Sequence, residues 1–171
     1  MSTQPIVFKP EVMEKVQAII ARYPEGRQKS AILPVLHIAQ AEFGGYLSPE
    51  VMDYVASILS ILPIEVYEVA TFYTMFKLKP TGKYVLEVCQ TGPCCLMGAE
   101  EMIAFLEKKL GIQLGQTTED GLFTLLGVEC LASCGTAPMM QVGETFCENL
   151  TTSKLETIIQ GLRQGQSLEL K

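Results

Sequence analysis

All six cysteines of the chain fall between Cys89 and Cys147, and the first half has none. That asymmetry alone divides the sequence into two functional regions. Four of the six form spaced pairs, Cys89-x4-Cys94 and Cys130-x3-Cys134, while Cys95 and Cys147 stand outside the pairs. The start, MSTQPIVFKPE, has no basic stretch followed by an apolar one and no Arg/Ser-rich bias, so neither a secretory leader nor a transit peptide is read there. No apolar run approaches the ~20 residues needed to span a bilayer, which argues against direct membrane insertion. The expectation is a cytoplasmic protein. In a reducing compartment, metal binding or redox chemistry explains clustered cysteines better than structural disulfides do. At 171 residues the chain has room for one ordinary domain or two small ones, and a hydrophobic content of 48% is enough to fill a core. The net charge of −6 and the lack of any Lys/Arg run exclude a nucleic-acid footprint.

The cysteine-free region reads as helices only, from about residue 10 to 76. Val12, Val16, Ile19, Ile20 and Tyr23 recur at helical spacing, as do Ile32, Leu36, Ala39 and Phe43, with Gly44-Gly45 as a stop. Pro34 near the start of the second stripe implies either a displaced first turn or a bend. Ser48-Pro49-Glu50 combines a capping hydroxyl, a first-turn proline and an acid favoured by the helix dipole. It opens a helix with Val51, Val55, Ile58, Leu59 and Leu62 on one face. Pro63 opens a fourth, with Val66, Val69, Ala70 and Tyr73. Short connections favour a compact bundle. Phe76 to Gly82, rich in Lys with Pro80 and Gly82, is the linker.

Beyond it the period changes. Lys83 to Val88 alternate as a strand, and Gly98 to Leu110 read as a helix with Ala99, Met102, Ile103, Leu106 and Leu110 inward. Phe123 to Val128, Met139 to Val142 and Thr145 to Glu148 are strands, and a last helix from near Thr151 carries Leu155, Ile158, Ile159 and Leu162. The order is β-α-β-β-β-α, or β-α-β-β-α if two short strands merge, an α/β sandwich of thioredoxin-like type. The fold class is thus helical first and α/β, or α+β, second.

Each cysteine pair follows a strand, in a loop from which a rigid sheet can aim several side chains at one point. Four thiolates in two pairs suit a [2Fe–2S] cluster, in which each tetrahedral iron takes two protein donors. Gly92, Gly98 and Gly135 flank the pairs, where backbone can approach closely and offer N–H groups to anionic sulfur. Zinc accepts four cysteines too, at spacings of this range, so a zinc-stabilised interaction module is a rival. A thioredoxin-type dithiol would want C-x-x-C near the first strand, which is missing. A Rieske centre needs two histidines, and the chain has only His37, in a predicted helix. Cys95 adjoins Cys94, as an alternative donor or an auxiliary thiol, and Cys147 reads as a buried strand residue. No G-x-G-x-x-G or Walker loop is present, so nothing in the chain reads as a nucleotide cradle.

Several segments together resemble one family. They are Glu68 to Tyr73, Pro80-Thr81-Gly82-Lys83-Tyr84, Val88-Cys89-x4-Cys94, Asp120-Gly121-Leu122-Phe123-Thr124 and Val128-Glu129-Cys130-x3-Cys134-x3-Pro138. The family is NuoE, the 24 kDa subunit of respiratory NADH:quinone oxidoreductase (complex I), and the similarity runs over nearly the whole chain. It implies an N-terminal helical bundle, here residues 1–78, and a thioredoxin-like [2Fe–2S] ferredoxin domain, here residues 79–171. It implies one binuclear cluster of N1a type, with Cys89 and Cys94 on one iron and Cys130 and Cys134 on the other. Cys95 lies outside the family pattern. The resemblance further implies electron exchange with FMN on a NuoF-type flavin- and NADH-binding partner, within a complex on the cytoplasmic side of a membrane. FMN and NADH belong to that partner, so the isolated chain is not expected to oxidise NADH. The same module occurs in NAD-linked hydrogenases and formate dehydrogenases.

Overall fold

The structure is a computed structural model and describes residues 6–166. The reading of a leader-free N-terminus starts on residues outside this range. The chain divides between Pro80 and Thr81 into two compact units.

The first unit contains α1 (Pro10–Ile20), α2 (Ile32–Glu42), α3 (Pro49–Leu59) and α4 (Pro63–Phe72), with a 3₁₀ turn at Gln28–Ala31 leading into α2. A proline opens α1, α3 and α4, where its fixed φ suits the helix and its missing N–H is no loss. Ser48 Oγ caps α3 by accepting the Val51 N–H at 3.3 Å, and the Glu65 carboxylate accepts the Leu62 N–H at 2.9 Å at the head of α4. Pro34 occupies the first turn of α2, because the 3₁₀ turn absorbs the residues before it and moves the α-helical start to Ile32. Val16, Leu36, Val55, Leu59 and Val66 interlock as the core of this unit. Two residues leave the faces assigned from periodicity. Ser60 turns left-handed (φ 54°) and ends α3, so Leu62 becomes the cap of α4 and is 66% exposed. Tyr73 lies just past α4 in extended backbone.

The second unit is built on a four-stranded sheet in the order β2-β1-β3-β4, comprising β1 (Tyr84–Cys89), β2 (Phe123–Val128), β3 (Met140–Val142) and β4 (Thr145–Cys147). The two short strands do not merge, because Gly143 at φ 60° turns the chain between them. A short helix, α5 (Gly92–Leu96), and a longer one, α6 (Ala99–Leu110), carry the chain from β1 to β2. The two strands pair in parallel and therefore need such a crossover. Gly98 joins the two helices at φ 96°, a conformation that suits only glycine. The last helix, α7 (Thr152–Arg163), is capped by Thr151, whose Oγ1 accepts the Lys154 N–H at 3.1 Å. Leu86, Val88, Phe123, Leu125 and Met140 form one sheet face, and Leu106 of α6 with Leu155 and Ile159 of α7 seal it.

Strand directions decide where the cysteines go. Cys89 and Val128 are register partners at the ends of parallel β1 and β2, so both chains leave the sheet side by side. β3 runs antiparallel to β1 and begins opposite Val88, so the segment after β2 returns to that same end. No helix among the described residues is long and apolar enough to cross a membrane.

Candidate metal centre

Cys89 is the last residue of β1 and is buried. Cys94 lies in α5, a single helical turn where the sequence implies a loop, and is buried too. Both belong to a small apolar cluster with Ala99, Ala137 and Met139, against which Leu131 rests. Cys130 and Cys134 are exposed, with sulfurs 3.6 Å apart, and Cys134 opens a 3₁₀ turn running to Thr136. The four sulfurs stand as two pairs. No group of three or more His, Cys, Asp or Glu among the described residues is drawn together around a single ion position.

The Thr91 hydroxyl lies 3.2 Å from Cys89 Sγ and also helps to draw down the Cys130 thiol of the other pair. Burial alone would push the Cys89 thiol up, but hydrogen bonds from the Thr91 hydroxyl and from the N–H groups of Thr91 and Leu131 outweigh it and hold it below its ordinary value. Burial, followed by the hydrogen bond with Cys89, pushes Cys94 up to about 11. At the other pair, the Ala132 N–H, 3.3 Å from Cys130 Sγ, draws that thiol down, with the Cys134 and Thr91 hydrogen bonds adding to it. Its hydrogen bond to Cys130 raises Cys134. Within each pair one thiol is thus drawn down and the other pushed up, and metal binding would release whatever protons the thiols hold. Ala132 adopts a left-handed φ of 61°, and its N–H is the one that reaches Cys130 Sγ.

These residues fit an iron–sulfur core. Such a core demands soft anionic donors, two for each iron, and peptide N–H groups that offset the charge on sulfur. Thiols in two pairs, with N–H groups and a hydroxyl already on the sulfurs, meet both demands.

The thioredoxin-like [2Fe–2S] ferredoxin family model matches residues 16–163. The chain belongs to this family. Over 156 residues, 91% of this chain and 93% of the relative, it is 45% identical to the E subunit of the NADH-quinone oxidoreductase of Rickettsia conorii. Over 166 residues, 97% of this chain and 67% of the relative, it is 41% identical to the mitochondrial NADH dehydrogenase (ubiquinone) flavoprotein 2 of Dictyostelium discoideum. Among solved structures, it is similar to an NAD+-reducing [NiFe]-hydrogenase in the air-oxidized state, with a TM-score of 0.68 and 19% identity, over 78% of this chain and 23% of that one. At that identity the likeness is one of fold. The chain is therefore a NuoE-like, thioredoxin-like ferredoxin.

The remaining cysteines of this ferredoxin stand apart from the pairs. Cys95 is exposed, and its thiol donates to the Gln90 carbonyl at 3.2 Å. Cys147 is buried among the core side chains of the second unit, and burial pushes its thiol up. His37 is exposed on α2, with its ring centroid 5.0 Å from that of Phe76 and the two planes tilted by 52°. Thr91 escapes a cysteine-centred reading of the sequence, although a hydroxyl two residues beyond a candidate ligand is a signal for it. Glu148 escapes too. Its carboxylate, held below the usual range by the Ser133 and then the Thr136 hydroxyl, grips the segment between Cys130 and Pro138. Nothing in the order of residues foretells that contact.

Proposed function

We propose that this chain carries one [2Fe–2S] cluster of N1a type and serves as the NuoE-type electron-transfer subunit of NADH:quinone oxidoreductase. Cys89 and Cys94 would hold one iron, and Cys130 and Cys134 the other. The observation that carries the reading is the convergence of both pairs at one end of the sheet, within a sequence that shares 45% identity with a NuoE-type relative along 91% of its length. When bound, the cluster supplies a one-electron carrier. The chain's own residues do the rest. The buried pair is shielded from water by Ala99, Ala137 and Met139, while the exposed pair opens the site to a partner. The N–H groups of Thr91, Leu131 and Ala132 stabilise negative charge on sulfur.

A one-electron carrier without a nucleotide cradle needs a partner that accepts hydride. That partner is a NuoF-type subunit holding FMN and NADH, in a complex on the cytoplasmic side of its membrane. An all-cysteine ligand set favours a low potential, roughly the −400 mV of plant-type ferredoxins. Likeness of fold to the NAD+-reducing hydrogenase favours one alternative host, an NAD-linked hydrogenase or the related formate dehydrogenases.

The test is iron and sulfide analysis of the anaerobically purified chain, with EPR after reduction. Iron and sulfide in equal amount, two per chain, with a rhombic signal are expected. A colourless protein with stoichiometric zinc would overturn the proposal. Co-expression with a NuoF-type subunit should give a stable pair that oxidises NADH, while the isolated chain does not. NADH oxidation by the flavin-free chain would refute that division of labour.

A further inference from the structure

The segment from Glu129 to Met139 carries Cys130 and Cys134 and lies between β2 and β3. It therefore has no strand ladder of its own. It is tied instead to the connection between β4 and α7, in which Glu148 supplies the side-chain contact. Ser133 Oγ and Thr136 Oγ1 both donate to the same oxygen, Glu148 Oε1, the latter at 2.7 Å. These two hydroxyls straddle Cys134 and Gly135. Thr136 N–H closes the turn on the Ser133 carbonyl at 3.1 Å. Alongside, Asn149 N–H donates to the Thr136 carbonyl at 2.7 Å, and Leu150 N–H to the Pro138 carbonyl at 2.9 Å.

Glu148 follows the buried Cys147, Leu150 two residues on is buried too, and the Glu148 carbonyl accepts from Lys154 Nζ of α7 at 2.6 Å. The two hydroxyls lie 2.7 Å apart and own one proton each. Both protons can point at one oxygen only while that oxygen belongs to an acceptor, and a carboxylate provides it. With both protons on Glu148 Oε1, the 2.7 Å approach of the two hydroxyls to each other and the 3.1 Å approach of Thr136 Oγ1 to the Ser133 carbonyl carry no proton of their own, so the carboxylate is the acceptor that fixes both side chains beside Cys134.

From this geometry we infer that Glu148 is a positioning residue for the cluster: through Ser133 and Thr136 it holds the turn that aims Cys134 at iron. The inference rests on the cluster reading given above. It separates Glu148 from the ordinary stabilising contacts of the unit, because its partners lie within the ligand turn and not in the core.

The test compares the full-length wild-type chain with Glu148→Ala, Glu148→Gln and the double variant Ser133→Ala/Thr136→Val. Iron and sulfide content, the EPR signal of the reduced protein, and the rate of iron release to a chelator are measured, along with thermal unfolding of each cluster-free chain. Thr124→Val serves as a control, because it removes two hydrogen bonds of the same unit at the end of β2 away from the ligand turn. Partners that orient metal ligands are worth about 10- to 100-fold in metal affinity. Glu148→Ala and the double variant should therefore release iron about 10- to 100-fold faster than wild type and shift or broaden the EPR signal. Glu148→Gln, whose amide oxygen still accepts, should fall between them and wild type. If Glu148→Ala fails to fold, the double variant removes the same two hydrogen bonds and leaves the anchor in place. Wild-type release rates and EPR in Glu148→Ala and the double variant would overturn the inference. So would a Thr124→Val chain that loses iron as fast as they do. A wild-type chain without iron and sulfide would instead refute the cluster reading itself.

Discussion

Replacing Gly82 with alanine should destabilise the second unit without touching the candidate metal centre. A Cβ there would lie 2.8 Å from the Phe123 carbonyl carbon, 2.9 Å from its nitrogen and 3.0 Å from the Leu122 carbonyl carbon. Unbonded carbons rest at about 3.5–4.0 Å, so each contact is more than a third of an ångström too short. All three atoms are backbone, and they are pinned by the Tyr84 N–H on the Leu122 carbonyl at 2.8 Å and by the β1–β2 ladder. No side chain can swing aside, so the strands themselves must part. Overpacking of this kind costs about 1–3 kcal/mol. Parting also stretches the 2.6 Å hydrogen bond from the Gly82 N–H to the buried Thr124 Oγ1, a contribution of about 1 kcal/mol. Against this, alanine lowers the entropy of the unfolded chain and returns about 0.4–1 kcal/mol. The net expectation is about 1–3 kcal/mol. At about 4–8 °C per kcal/mol for a unit of this size, the cluster-free chain should lose roughly 5–20 °C in the thermal transition of that unit, followed by circular dichroism. Gly135→Ala is the control, since its Cβ would meet no protein atom within 4 Å. A Gly82→Ala transition within about 2 °C of wild type, or an equal loss in Gly135→Ala, would show that strand contact is not what demands glycine.

Three other outcomes are expected. Thr124→Val leaves the Gly82 N–H without its buried acceptor and the Thr117 hydroxyl without its 2.8 Å partner, which should cost about 1–3 kcal/mol in urea unfolding; a loss under about 0.5 kcal/mol would contradict this. Alanine at Cys89, Cys94, Cys130 or Cys134 should abolish or badly destabilise the cluster, whereas Cys95→Ala and Cys147→Ala should keep stoichiometric iron. Cluster loss in Cys95→Ala together with retention in Cys94→Ala would reassign the ligand. The Thr118 hydroxyl, and then the Leu122 N–H, hold Asp120 below the usual carboxylate range. A depressed folded-state pKa adds stability that is complete above the unfolded value of about 3.9 and is lost as pH falls through the folded one. The acid limb of the unfolding curve should therefore be shallower in Asp120→Asn, and an unchanged limb would rule the contact out as its source.

The sequence by itself is enough for the features that are local. Helical spacing, first-turn prolines and the Ser48 cap locate the helices of the first unit, because capping and amphipathic periodicity are settled within a few neighbouring residues. The change of period after Gly82 locates the strands of the second unit, and the count and spacing of cysteines, with a single histidine, narrow the chemistry to paired thiolates. Local signals fail where two of them compete. Leu62 fits the stripe of α3, yet the left-handed turn at Ser60 hands it to the next helix. α5 is not legible because one helical turn around Pro93 is too short to show a period.

Tertiary structure decides the rest, because it depends on residues far apart in the chain. Gly82 reads as a linker glycine, but the close approach of Phe123 is what makes it necessary. Thr91 touches Cys89 and also acts on the Cys130 thiol only because parallel pairing brings the ends of β1 and β2 together. Glu148 meets Ser133 and Thr136 only because β3 and β4 fold the chain back on itself. Spacing can announce which thiols are candidates for a metal. The strand directions and registers of the folded sheet bring the two cysteine-bearing segments to the same end of it.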